Sequence, residues 1–237
     1  MDKRYNAEIE IIEGLHYFPW IGIDFINSET KLLVLGESIY IDPEGYGADN
    51  DWIQVLVKQN FSPIIEGVTI YNLLNNFSKA FWNKSEVTQL ERDKLARYMA
   101  FTDIVQRPLP TIDERPTYED YINGWKVLFT IIKIIKPKNI IILGVGSVEC
   151  MKRAAYEIDV KIINFTKENK ISNVAPRAFS LQVDKDIIKC IAIKHPARYF
   201  SWSKWNDYLC KKIDLKEIEK LNNLAGKTLK CLLDNKK

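Results

Sequence analysis

Two apolar runs that stop abruptly constrain this chain more than any other feature. Lys31-Leu-Leu-Val-Leu-Gly-Glu-Ser-Ile-Tyr40 and Ile191-Ala-Ile-Lys-His-Pro-Ala-Arg-Tyr-Phe-Ser-Trp202 each read as a strand without polar alternation that ends in small and polar residues. A strand lacking alternation is covered on both faces, as in a parallel sheet sandwiched between helices. In open parallel sheets, ligands bind at the carboxyl ends of the strands. Glu37, leaving one strand, and His195, leaving another, are therefore expected to meet at one site although they lie far apart in the chain.

The rest of the chain fits that architecture. A short helix is expected over residues 5–15 and an aromatic loop over 16–22. A strand at 31–38 is followed by a loop rich in Gly and Pro pairs to Trp52. Helical patterns follow at 51–59 and 69–83, and Ser85 precedes an amphipathic helix running to about Arg97. A second strand at 99–105 ends where prolines forbid continuation.

Thr117 opens the most regular helix, with Tyr121, Trp125, Leu128, Ile132 and Ile135 recurring at three and four. A third strand at 139–146 follows Lys136-Pro137, and Ser147 precedes a helix to about Glu157. Residues 161–165 read as a short strand and 166–186 as a polar connection. A last core strand at 187–194 and a helix over 203–221 complete the pattern. The expected fold is a three-layer α/β/α domain, a single domain over 1–237, with a central, mostly parallel four-stranded sheet.

The bulk numbers exclude little. A chain of 237 residues with 46% hydrophobic content can bury a sizeable core. A net charge of +3 permits nucleic acid as a partner without requiring it. Cys150, Cys190, Cys210 and Cys231 show no C-x-x-C spacing. No apolar run reaches the length of a membrane span. The expectation is a cytoplasmic monomer without membrane association. Gly144-Val-Gly146 lacks the third glycine of a dinucleotide fingerprint, and no P-loop is present.

Four segments, in order, resemble the uracil-DNA glycosylase superfamily, most closely its iron–sulfur branch. Gly36-Glu37-Ser38 stands where that branch has Gly-Glu-x-Pro-Gly. Phe101-Thr-Asp-Ile-Val-Gln-Arg-Pro-Leu-Pro110 is similar to its Thr-Asn-x-x-Lys-Cys-Arg-Pro segment. Trp125 to Gly146 resembles the helix and strand before its last third, and His195-Pro196-Ala197 stands in place of His-Pro-Ser. The match covers roughly residues 30–210.

The resemblance implies hydrolysis of the N-glycosidic bond of a flipped uracil or other altered base, with DNA, single-stranded or damaged duplex, as the partner. Glu37 would stabilise the cationic sugar or orient a water, and His195 would stabilise the departing base anion. Gly36, Ser38, Tyr40 and Asp103 would line the base pocket, with Tyr46 or Trp52 as further stacking candidates. Arg198, Ser201, Trp202, Ser203 and Lys204 would face DNA phosphates and bases. Phe200 or Trp202 would wedge into the stack.

Three departures qualify that picture. Gln106 replaces a cluster Cys, so no iron–sulfur centre, metal or other cofactor is expected. Asp103 replaces an Asn. Ionised Asp only accepts hydrogen bonds, so it suits two donors, such as N1–H and the amine of guanine, unless a raised pKa lets it read uracil. A lost polar contact in such a site costs about 10⁴–10⁵ in discrimination. Ile39 replaces a Pro and Ala197 a Ser. The alternatives are a non-catalytic nucleobase or nucleic-acid binding member of the same fold, or another α/β enzyme acting on a small nucleotide.

Overall fold

The computed structural model describes residues 1–41, 44–45, 47–61, 72–111, 113–197 and 199–213. Seven strands form one sheet: β1 (Trp20–Ile21), β2 (Leu32–Gly36), β3 (Met99–Asp103), β4 (Asn139–Leu143), β5 (Lys161–Lys167), β6 (Arg177–Val183) and β7 (Asp186–Ile193). Their order is β1-β3-β2-β4-β7-β6-β5. Among the described residues seven α-helices accompany them: α1 (Asn6–Glu10), α2 (Trp52–Phe61), α3 (Asn72–Trp82), α4 (Gln89–Tyr98), α5 (Tyr118–Ile135), α6 (Val148–Glu157) and α7 (Trp202–Lys212).

The four strands expected from apolar runs are present and adjacent. β3, β2, β4 and β7 pair in parallel, and β2, β3 and β4 are buried along their whole length. The sheet as a whole corrects the expectation of a mostly parallel, four-stranded one. It has seven strands and is mixed, because β1 adds antiparallel to β3 and the β6–β7 and β5–β6 pairs are antiparallel. The supposed polar connection at 166–186 contains β6 and a hairpin into β7. β6 covers only one face, with Phe179, Leu181 and Val183 inward, so its apolar content is diluted by outward polar residues.

Helix ends follow capping chemistry. Thr117 and Asp120 form a capping box at α5, and Thr88 with Glu91, rather than Ser85, does so at α4. Lys136 stops α5 in the left-handed conformation, just before Pro137. Two apolar layers flank the sheet. Leu32, Val34, Phe101 and Ile193 pack against α2, α3, α4 and α7. Leu33, Leu35, Ile140 and Ala192 pack against α1, α5 and α6. No helix among the described residues is long and apolar enough to cross a membrane.

This connectivity prepares a crevice. β2 and β7 feed helices on one face, whereas β3 and β4 feed helices on the other. Neighbouring chains therefore diverge at the carboxyl edge of the central strands, where open α/β sheets take ligands.

Candidate functional site

The carboxyl ends of β2 and β3 lie level, with Gly36 opposite Asp103. Ladder-like bonding continues past both strands, since Ile104 N donates to Gly36 O and Val105 N to Glu37 O. Gly36 leaves room for its neighbour: a Cβ there would stand 1.9 Å from Asp103 Oδ1. Asp103 is 5% exposed. No described group donates a hydrogen bond to its carboxyl oxygens. Burial, and secondarily the charge of Glu37, push its pKa up to about 7. It pairs with neither neighbouring arginine, because Arg107 binds Glu114 and Asp120 and Arg115 reaches Tyr40.

Glu37 points to the opposite face of the sheet, as strand alternation requires. There Tyr121 Oη donates to Glu37 Oε1 at 2.6 Å. Tyr121 shares a helical stripe with Gly124, Trp125 and Leu128. Gly124 permits the close approach, since a Cβ there would meet Ile104 O at 1.9 Å. The helix is held at its start by Arg107, which clamps Asp120 at 2.7 and 2.8 Å. Burial first, then the hydrogen bond to Glu37, drive the Tyr121 phenol far above its ordinary range, so it acts as a donor. Tyr121 is a site residue that periodicity assigns to the core.

His195 approaches from the other side. Leu35 lies opposite Ile142 across β2 and β4, and Leu143 opposite Ile193 across β4 and β7. The backbones leaving β2 and β7 are thus two strand spacings apart, about 10 Å. Gly144 lies between them, with φ +134°, and a Cβ on it would touch the His195 ring at 4.0 Å. The imidazole therefore lies along the crevice. Burial lowers its pKa, Glu37 opposes that shift, and Arg115 reinforces it. The shift disfavours the charged imidazolium. Glu37 and His195 share one electrostatic neighbourhood, as their spacing along the strands requires.

Ser38 Oγ is buried without a hydrogen-bond partner beside Glu37. Tyr40 stands half-buried at the rim, bridges to Leu109 and accepts from Arg115 Nη1 at 3.4 Å. Gln106 is a latch. It accepts from the backbone N–H of His16 and Tyr17, each at 3.1 Å, and donates to Asp103 O at 2.9 Å.

The segment after His195 is tethered. Asn76 Nδ2 donates to Pro196 O at 2.9 Å, and Lys194 Nζ to Tyr199 O at 2.9 Å. Ser201, Ser203 and Lys204 gather at the start of α7, and Ser201 does not cap it. The two wedge candidates turn inward instead: Phe200 stacks on Trp205, and Trp202 packs against the core. Trp52 also packs there. The aromatic presented outward is Tyr199, 92% exposed and held at φ +58°. The sequence carries no signal for this, since the run Tyr199-Phe200-Ser201-Trp202 does not show which aromatic turns outward. Arg198 and Tyr46 lie outside the described residues.

A surface cleft of about 1040 Å³ lies elsewhere, on the outer side of α5 beside α1. Its Arg107 and Asp120 are already paired with each other. The carboxyl-edge crevice holds the perturbed titratable groups Asp103, Tyr121 and His195, which argues for it as the site. Among the described residues no group of three His, Cys, Asp or Glu is placed to hold a metal ion. No protein-family model matches the chain, and no curated protein sequence matches it.

Proposed function

We propose that this protein hydrolyses the N-glycosidic bond of a flipped, altered base in DNA. The observation that carries this reading is that Glu37 and His195 leave strands two spacings apart, about 10 Å between backbones, and are electrostatically coupled. The ordered sequence likeness to uracil-DNA glycosylases supports it independently.

Hydrolysis needs stabilisation of both separating charges. Glu37, held by Tyr121 through Oε1, keeps its second oxygen for the oxocarbenium-like sugar or for an attacking water. His195, whose charged form burial disfavours, donates an N–H to a carbonyl oxygen of the base as negative charge develops there. A neutral donor avoids transferring its proton outright. Ser201, Ser203 and Lys204 at the start of α7 bind the flanking phosphates, and exposed Tyr199 fills the stack left by the extruded base.

The test is abasic-site formation on oligonucleotides carrying uracil, hypoxanthine or other altered bases, read by alkaline cleavage on a gel. Product should form with at least one base, and Glu37→Gln should slow it about 10²–10⁴-fold. No product from any base at high enzyme, with the fold intact, refutes hydrolysis. Base binding that survives in that case, unchanged by Glu37→Gln, would assign a binding role instead.

A further inference from the structure

Of the charged residues that are nearly fully buried, Asp2 is held by Arg4 and Glu91 by Thr88 and Lys84. Among the described residues that are nearly fully buried and charged, Asp103 is the one with no donor on its carboxyl. The groups around it have their donors committed elsewhere. The Tyr17 hydroxyl donates to Gly47 O at 2.7 Å, the Gln106 amide donates to the Asp103 main chain, and Gly36 has no side chain. The Asp103 carboxyl oxygens are not among the fully enclosed unpartnered atoms, so the carboxyl keeps an accepting edge open to a ligand. A carboxylate offers two adjacent acceptors, and two parallel N–H donors satisfy it best.

We propose that Asp103 selects the ligand of this crevice by accepting from two adjacent N–H groups, as on the ring N–H and exocyclic amine edge of a guanine-type base. This rests on the reading of the crevice as a nucleobase site and names the base class it takes. An unbonded carboxylate beside Gly36 and Glu37 gains both missing bonds from such an edge. It repels an edge that presents a carbonyl oxygen. Uracil's edge, donor beside acceptor, matches only the protonated acid.

The test uses free bases, so it needs no catalysis. Isocytosine carries adjacent ring N–H and amine donors, pyrimidin-4-one lacks the amine, and uracil replaces it with a carbonyl. Affinities for the full chain are measured by NMR titration. Above pH about 8, isocytosine should bind roughly 5- to 150-fold tighter than pyrimidin-4-one, the worth of one good bidentate pair. Asp103→Asn, nearly isosteric, should reduce that ratio to about one.

In the unaltered protein the preference should also decay as pH falls through about 7, where the carboxyl takes a proton. The other titratable groups near Asp103 are Glu37 after β2 and Tyr17 before β1, coupled to it electrostatically, with Tyr121 on α5, His195 and Arg115 coupled in turn to Glu37 or to each other. All remain in Asp103→Asn, so a pH dependence that persists in that variant overturns the assignment to Asp103. Equal affinity for the three bases overturns the proposal and leaves the nucleobase site standing. Binding of none of them overturns both.

Discussion

Replacing Asp103 by Asn should make the protein more stable at neutral pH, and by an amount that depends on pH in a set direction. In the unfolded chain the carboxyl titrates at its ordinary value of 3.8, and in the folded protein it is pushed up to about 7. Between those values the native state holds the extra proton, so stability falls as pH rises through that window and levels off above it. At about 1.4 kcal/mol per factor of ten in protonation, the cost above pH 7 is about 4 kcal/mol. Asn has no charge to desolvate and occupies almost the same volume beside Gly36.

The stability difference between variant and unaltered protein should therefore be near zero at about pH 4, grow with pH and plateau near 4 kcal/mol. At the plateau this corresponds to roughly 10 °C in Tm for a chain of this size. Urea unfolding followed by tryptophan fluorescence across that range measures it directly. A difference that stays flat with pH, or that falls as pH rises, refutes the account of Asp103 as a carboxyl buried without a partner. A costly acid kept at the mouth of a crevice is what a ligand-reading role would require.

Three further outcomes follow from the geometry. Gly36→Ala places a methyl 1.9 Å from Asp103 Oδ1, so it should cost about 1–3 kcal/mol in thermal unfolding. Asp103→Ala in the same chain should relieve that cost, and strictly additive effects would contradict the contact. Tyr121→Phe removes the hydrogen bond to the Glu37 carboxyl group, worth about 1.5–3 kcal/mol. The melting temperature should fall by about 3–12 °C and base release should slow about 10- to 150-fold in the folded protein, and an unchanged rate would remove Tyr121 from the site. Tyr199→Gly should gain about 1 kcal/mol by relieving the positive φ. It should also weaken single-stranded DNA binding about fivefold or more through lost stacking, read by anisotropy, and unaltered affinity would exclude stacking.

Much of the architecture was legible because it rests on local periodicity. The unalternating runs 32–36 and 139–143, the three-and-four spacing from Tyr121 to Ile135 and the Thr117 cap each depend on residues within a few turns of one another. So does the position of Glu37 and His195 at strand ends. β6 was missed because a strand covered on one face needs its partner, β7, before its pattern means anything. The expected four-stranded sheet failed for the same reason, since strand number is decided by pairing across long loops.

Site chemistry divides along that line. Sequence alone determined which carboxylate and which imidazole leave the central strands, because apolar runs and their ends are local properties. Only tertiary structure decided that Tyr121 bonds Glu37, that Phe200 turns inward while Tyr199 faces out, and that Asp103 is buried without a donor. Those facts depend on which groups from distant segments arrive at the same place. Hydrogen bonding and desolvation act over a few ångströms of space, whatever the separation along the chain.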